Sequence, residues 1–271
     1  MANKQLEIIK MNHINQVLAD YDGAIDFYKK VFGAKLTFDG RQQFGPYNNC
    51  ILYVGPVIIE LFSPCDETGL GKIISRFGDT WQGLEFLTPS LDDSLEAVQS
   101  RGLRVVDHNP TMWFFTLPSD CHGMCLEIVD SKGGTFAEDH GETNPFGILG
   151  LKNLSVAVKD LDSVIGFYKD LVKDADVVYR EDRPAISGMA AGLNFGRETI
   201  EFIAPTGPGA TQDYLDRYRE QIRGITFRVE SLDAVRAHLA ASDLPAVDGD
   251  APNTVAIPPE HNYGVLYQFA E

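Results

Sequence analysis

The chain has 271 residues, 44% of them hydrophobic and 23% charged, so it is long enough for two domains that each bury a core. Its 39 acidic and 23 basic residues leave a formal charge of −16, which argues against a nucleic-acid backbone or an anionic membrane surface as the main partner. The four cysteines follow no disulfide-framework or zinc-ribbon spacing, the start has no signal-peptide core, and no apolar run approaches the roughly 18 residues of a membrane span. We therefore expect a reduced, cytoplasmic protein that crosses no membrane.

The first pattern along the chain is a short apolar run, then an acidic residue, then an amphipathic helix. In that helix, Ala24, Phe27, Tyr28 and Val31 recur at helical spacing, and Gly33 stands where the helix would stop. The pattern recurs in three further segments, which begin at Gly83, Leu151 and Gly224. The third copy repeats the Phe-Tyr pair as Phe167 and Tyr168.

Two or three β-rich stretches follow each helix, and the last stretch of each set is the most regular. These last stretches cover residues 57–64, 124–130, 199–205 and 265–271. Counterpart positions in the two halves are 140 or 141 residues apart, as the pairs 13 and 153, 60 and 201, 83 and 224, and 127 and 268 show. The spacing predicts four βαβββ modules in two similar halves. We expect an N-terminal domain over 1–132, a linker over 133–147 that is rich in Gly and polar residues, and a C-terminal domain over 148–271.

These motifs resemble the vicinal oxygen chelate (VOC) superfamily, which includes glyoxalases, extradiol dioxygenases and bleomycin-binding proteins. The resemblance rests on His-Ile before an acidic turn and a Phe-Tyr helix, and on Leu-Glu-Ile or Ile-Glu-Leu near the module end. It implies an α+β fold in which the four modules pair into two VOC domains. Each domain would be a curved mixed sheet that forms a cup with flanking helices, and the family's metal sits inside the cup.

The resemblance also implies which residues would bind the metal. In the first half the ligand positions are His13, Glu60 and Glu127, with Gly83 at the fourth. This donor set favours Mn²⁺ or Fe²⁺, with Zn²⁺, Ni²⁺ and Mg²⁺ as alternatives. The matching positions of the second half predict a metal-free cup; they are Asn153, Glu201, Gly224 and Gln268.

Two further residues are candidates for the chemistry. Glu85 lies two residues from Gly83 and so shares its face of the strand, where it would be a fourth ligand, a general base or a carboxylate at the rim. His122, in the loop before the last strand of the first half, is a candidate for proton transfer, although such a histidine is often only a surface residue.

Other residues would line the first cup. Asn15 shares a face with His13, and Cys125 shares a face with Glu127, although either side chain would equally suit simple packing. Ring side chains suggest an aromatic or planar substrate, and the candidates are Tyr47, Trp113 and Phe115. In the second half we expect Glu201 to pair with Arg228 in a structural salt bridge, with substrate binding as the alternative.

The resemblance therefore implies a metal-dependent enzyme that acts on a small oxygen-bearing molecule. A lyase or isomerase that stabilises an enolate or oxyanion is the leading hypothesis. Two alternatives stay open: a protein that sequesters an antibiotic or other small molecule without catalysis, and an atypical ring-cleaving dioxygenase. The protein would be a monomer or a homodimer.

Overall fold

The computed structural model describes residues 4–132 and 143–271, in which the chain forms sixteen strands and six helices. The first half contains β1 (Lys10–Val17), α1 (Tyr21–Phe32), β2 (Lys35–Asp39), β3 (Tyr47–Val54), β4 (Val57–Pro64), α2 (Leu70–Phe77), β5 (Thr80–Thr88), α3 (Leu91–Gln99), β6 (Val105–Asn109), β7 (Trp113–Thr116) and β8 (Cys125–Asp130). The second half contains β9 (Ile148–Ala157), α4 (Leu161–Leu171), β10 (Val177–Arg183), β11 (Gly188–Phe195), β12 (Glu198–Pro205), α5 (Ala210–Tyr218), β13 (Gln221–Val229), α6 (Leu232–Ala241), β14 (Val247–Asp248), β15 (Val255–Ile257) and β16 (Leu266–Ala270). Most of the predicted linker, residues 133–142, lies outside the described residues.

The order βαβββ occurs four times, which confirms the four predicted modules. Two helices were not predicted: α2 joins the first module to the second, and α5 joins the third to the fourth. Within each half, the strands form one mixed eight-stranded sheet. The orders are β2-β3-β4-β1-β5-β8-β7-β6 and β10-β11-β12-β9-β13-β16-β15-β14. The α+β class and the pairing of modules into two mixed sheets are therefore as expected.

Short polar side chains start the helix of every module at the same place. Each accepts a hydrogen bond from the backbone N–H three residues later, which satisfies one of the amides that a helix start leaves open. The capping residues are Asp20, Ser90, Asp160 and Ser231. Helix α1 ends, as predicted, at Gly33, whose φ of 64° suits a residue without a Cβ. In the described ranges no helix is both long enough and apolar enough to cross a membrane.

Contact density groups the described residues into two compact units. One holds residues 4–12, 83–132 and 153–222, which include the second and third modules, and the other holds 13–82, 143–152 and 223–271, which include the first and fourth. Strands β1, β5, β9 and β13 contribute residues to both units. The hydrogen-bonded sheets thus follow the halves of the sequence while the compact units do not, and the division into domains at 132 and 148 stays a prediction.

The repeated Phe-Tyr pair places a tyrosine in the core of each unit. Tyr28 and Tyr168 are both fully buried. The Tyr28 hydroxyl donates to Gln16 Oε1 at 2.5 Å and also contacts the hydroxyl of Tyr267 at 2.5 Å. Tyr168 instead donates to the carbonyl oxygen of Cys121 at 2.7 Å. Each buried hydroxyl therefore has a hydrogen-bond partner, as a buried polar group requires.

Replacing Tyr28 by Phe tests the value of this core hydroxyl. The Tyr28→Phe variant keeps the ring but leaves Gln16 and Tyr267 without that partner, so we expect the free energy of unfolding to fall by about 1–3 kcal/mol. Urea unfolding followed by circular dichroism measures the change. An unchanged midpoint would mean that the buried hydroxyl pair contributes nothing to stability.

Candidate metal centre

Strand alternation brings two carboxylates into a buried setting. Glu60 on β4 lies between Ile59 and Leu61, and both neighbours are fully buried. Glu127 on β8 likewise lies between the fully buried Leu126 and Ile128. Because alternate residues point to opposite faces of a sheet, the apolar neighbours turn one way and the two carboxylates turn the other.

The register of the sheet adds Glu85. In the parallel β5–β8 ladder Glu85 is the partner of Glu127, whereas Gly83 is the partner of Cys125. Paired residues point to the same face of the sheet, so Glu85 is the second-module residue beside Glu127. The family position at Gly83 offers no side chain, and Glu85, two residues further along, presents its carboxylate instead.

Three side chains converge closely enough to hold a metal ion. One ligand atom each from His13, Glu85 and Glu127 all lie within 4.8 Å of one another, and all three residues are buried. Glu60 lies outside this group of three, but its Oε2 atom is 3.0 Å from His13 Nε2. We call these four residues the acidic cluster. The metal-ligand roles predicted for His13, Glu60 and Glu127 stay predictions, and Glu85 is the new member of the converging set.

The donor chemistry of the cluster fits a divalent cation. Every member is less than a tenth exposed, and buried carboxylates as close as Glu85 and Glu127 favour a cation beside them. Bonds of about 2.1 Å at right angles place neighbouring ligand atoms about 3 Å apart, which agrees with the separation of His13 and Glu60. One imidazole and three carboxylates form a hard donor set that suits Mn²⁺ or Fe²⁺.

Two asparagines that the sequence analysis did not single out contact the cluster. The Asn12 side-chain amide donates to Glu85 Oε1 at 2.5 Å. The Asn49 amide donates to Glu60 Oε1 at 2.8 Å. Asn49 is partnered with Phe62 in the β3–β4 ladder, two positions from the pair of Ile51 with Glu60, so strand alternation together with the register could have found it.

The residues predicted to bind substrate are distributed around the carboxylates. Phe115 is the ladder partner of Glu127, and its ring packs edge-on against Trp113 with centroids 5.3 Å apart. Tyr47 packs edge-on against Phe62, also at 5.3 Å, and Phe62 is two residues from Glu60. These four rings are all half-buried.

The two smaller predicted substrate residues are buried. Asn15 is fully buried and is the partner of Glu60 in the β1–β4 ladder. Cys125 is also buried, and its Sγ atom lies 3.4 Å from the carbonyl oxygen of Thr116. The register therefore places Asn15 beside a carboxylate of the cluster, and the substrate roles of both residues stay predictions.

Among the contacts that the described residues show, His122 contacts the helix of the third module and the connection between the third and fourth modules, rather than residues of the acidic cluster. Its Nδ1 atom lies 3.3 Å from Glu220 Oε2, and its ring packs edge-on against Phe167 with centroids 5.1 Å apart. Phe167 belongs to the Phe-Tyr pair of the third module, so His122 joins two modules of one compact unit. These contacts support a structural role, and its predicted part in proton transfer stays a prediction.

In the second sheet, the buried carboxylate of Glu201 has an arginine as its partner. Glu201 accepts hydrogen bonds from Arg183 Nη2 at 2.7 Å and from the Tyr179 hydroxyl at 3.0 Å. Burial raises the pKa of Tyr179, which keeps the hydroxyl protonated as a donor. Asn153 in turn donates to the Tyr179 oxygen at 3.3 Å. The expected partner Arg228 was the wrong choice for this salt bridge: it is exposed on β13, whereas the buried Arg183 at the end of β10 pairs with Glu201.

The strand pairing shows which residues of the second sheet occupy the positions that correspond to the acidic cluster. Ser155 is the partner of Glu201, as Asn15 is of Glu60, and Thr226 is the partner of Gln268, as Glu85 is of Glu127. Two of the three carboxylate positions are therefore neutral in the second sheet. The metal-free second cup stays a prediction.

Comparison with known families gives a match over the first half of the chain. A family model described as the Glyoxalase/Bleomycin resistance protein/Dioxygenase superfamily matches residues 10–142, a range that includes the whole acidic cluster. Residues 10–142 belong to this superfamily. No curated protein shows significant sequence similarity to it.

Solved structures extend the likeness to both halves. A mutant of 4-hydroxymandelate synthase from Streptomyces coelicolor matches with a TM-score of 0.72 at 13% identity, over 99% of this chain and 92% of that one. A halotolerant catechol dioxygenase matches with a TM-score of 0.66 at 12% identity, over 97% of this chain and 86% of that one. At these identities the structures show that this chain shares their fold over nearly its whole length, and they show the fold alone.

The contact between His122 and Glu220 leads to a test by pH. The His122 imidazole lowers the pKa of Glu220, and so does the hydrogen bond that Glu220 accepts from the Lys159 backbone N–H. Burial acts in the opposite direction and raises this pKa. A carboxylate with a lowered pKa stabilises the fold above its unfolded pKa of about 4.5, and this contribution is lost as the pH falls through the folded pKa.

We therefore expect the His122→Gln variant to be less stable than the parent by about 0.5 kcal/mol near pH 6, because the pair is partly exposed. The difference should shrink as the pH is lowered below 4.5, where Glu220 becomes protonated. Urea unfolding at several pH values measures it. A difference that grows on acidification would contradict the assigned contact.

Proposed function

We propose that the chain is a metal-dependent enzyme of the superfamily, with its site at the acidic cluster of the first sheet. The observation that carries the proposal is the convergence of His13, Glu85 and Glu127 within 4.8 Å in a buried place, with Glu60 beside His13. Buried carboxylates at such distances are costly unless a cation or a proton compensates for their charge. A site that binds a divalent cation explains why the fold tolerates them.

The four cluster residues would hold the cation, Mn²⁺ or Fe²⁺ by preference. One imidazole nitrogen and three carboxylate oxygens leave room for further ligands, because these cations accept six. A bound cation supplies Lewis-acid stabilisation of negative charge that develops on a substrate oxygen. Glu85 is assigned here to cation binding, and its alternative role as a general base stays a prediction.

The half-buried rings favour an aromatic or planar substrate. Phe115 lies level with Glu127, and Trp113 packs against it. Tyr47 and Phe62 form the corresponding pair near Glu60. Partly exposed rings next to a polar centre can bind the flat face of a small organic molecule while its oxygen atoms reach the cluster.

The reaction we favour is of lyase or isomerase type. Such reactions pass through an enolate or oxyanion, and a buried hard cation next to apolar rings suits that charge. Ring cleavage by oxygen is the second candidate, because a cation with open ligand positions also serves that chemistry.

The metal content of the protein tests the proposal. We expect protein purified without chelator, or loaded with Mn²⁺ or Fe²⁺, to hold one ion per chain, and the His13→Ala variant to hold almost none. The matched control is Asn153→Ala, because Asn153 occupies the position of His13 in the second sheet. The control should keep its metal, since the second sheet lacks the acidic cluster.

Elemental analysis and calorimetric titration with each metal decide the outcome. Full metal occupancy in His13→Ala would overturn the assigned site, and loss of metal from Asn153→Ala alone would move the site to the second sheet. A parent protein that binds no divalent metal would favour sequestration of a small molecule instead. Oxygen uptake with a catechol would identify ring cleavage rather than lyase or isomerase chemistry.

A further inference from the structure

We propose that Asn12 and Asn49 are positioning residues of the acidic cluster, which orient Glu85 and Glu60 so that one oxygen of each faces the cation. The inference rests on the proposed function, because it concerns the same site. It extends the site to two residues that would not themselves contact the metal.

Asn49 divides the two oxygens of Glu60 between different partners. Its amide donates to Oε1 at 2.8 Å, while Oε2 lies 3.0 Å from His13 Nε2. Asn49 is itself buried, with 4% of its surface exposed, so neighbouring side chains restrict its rotation. The carboxylate plane is therefore fixed, and Oε2 is the oxygen presented to the cluster.

Asn12 performs the same task for Glu85. Its amide donates to Oε1 at 2.5 Å, and Asn12 is 8% exposed. Asn12 precedes His13 on β1, so one short stretch of strand supplies both a ligand and the group that orients another ligand. A displacement of this stretch would disturb two of the four donors together.

An uncharged donor is the appropriate partner for a carboxylate that must bind a metal. An amide N–H satisfies one carboxylate oxygen without adding positive charge, whereas lysine or arginine would neutralise the carboxylate and compete with the cation. Groups that hydrogen-bond to metal ligands in this way typically change metal affinity 10–100-fold when they are removed. The chemistry of the two amides is thus the chemistry that a metal site requires.

The second sheet provides an internal comparison. In the second sheet, Ala190 pairs with Ile203 as Asn49 pairs with Phe62 in the first, so Ala190 replaces Asn49. Counting along β9 shows that Lys152 replaces Asn12. There the carboxylate Glu201 is held by the charged Arg183. The side-chain amides of Asn12 and Asn49 therefore occur in the sheet that has the acidic cluster. In the sheet without the cluster, the Arg183 guanidinium binds the carboxylate instead.

The test compares three variants of nearly equal size. In Asn49→Leu and Asn12→Leu the donor is lost while the volume is roughly kept. In Asn48→Leu, the matched control, an asparagine is lost one residue away on the alternate face of β3, where Asn48 is the partner of Ser63. Mn²⁺ alone is the probe, titrated by calorimetry and by the rise in thermal midpoint that the ion produces.

We expect Asn49→Leu and Asn12→Leu to bind Mn²⁺ about 10–100-fold more weakly than the parent, and Asn48→Leu to bind it as the parent does. The metal-induced rise in midpoint should shrink by the corresponding amount in the two variants alone. A purely structural role would lower the midpoint of the metal-free protein and leave the affinity for Mn²⁺ unchanged.

Two double variants connect each amide to its carboxylate. In a Glu60→Gln background, Asn49→Leu should cause no further loss of Mn²⁺ affinity, and Asn12→Leu should likewise cause none in Glu85→Gln. Additive losses would overturn the pairing. Unchanged affinity in both single variants would overturn the inference while leaving the metal site in place, whereas failure of the parent to bind Mn²⁺ would overturn the proposed function. If a leucine variant does not fold, Asn49→Ala and Asn12→Ala carry the same test.

Discussion

The constraint on which the candidate site depends is the burial of its charged groups, since His13, Glu85 and Glu127 converge within 4.8 Å in a buried place. Glu60, Glu85 and Glu127 lie on strands β4, β5 and β8 with less than a tenth of their surface exposed, and ladder pairing holds Glu85 beside Glu127. Protonation or a bound cation relieves such crowding. His13 adds a nitrogen donor to the same place, which favours the cation. The contacts of Asn12 and Asn49 are understandable as consequences, because they orient the carboxylates without neutralising them.

The two sheets stabilise a buried glutamate in different ways. Each places a glutamate on the second strand of a hairpin, Glu60 on β4 and Glu201 on β12, with buried apolar neighbours. In the second sheet, Arg183 supplies a covalently attached cation, and neutral residues replace the other two carboxylates. A charge that is satisfied inside the protein needs no ion from solution. The two sheets thus share one strand order while their buried carboxylates have different partners.

Several features were predictable because they depend on periodicity. The four modules followed from positions that recur 140 or 141 residues apart, and helix α1 followed from the helical spacing of its apolar residues. Strand alternation also predicted that Glu60 and Glu127 face away from their apolar neighbours. The connecting helices α2 and α5 begin 140 residues apart and so repeat between the halves, but they were not predicted because the βαβββ unit contains only one helix. Asn12 was missed because strand alternation predicts that it points away from His13. In the structure its amide nevertheless donates a hydrogen bond to Glu85.

The sequence by itself determined the modules, their pairing into two halves and the unequal chemistry of those halves, because side-chain period and residue type are local properties. Only the tertiary structure decided that Glu85 stands level with Glu127, that Asn49 and Asn12 hold the carboxylates, and that Arg183 rather than Arg228 meets Glu201. These relations depend on the register between strands and on the reach of side chains from separate elements. Neither quantity is encoded in the spacing of a single strand, so they become visible only when the sheet has formed.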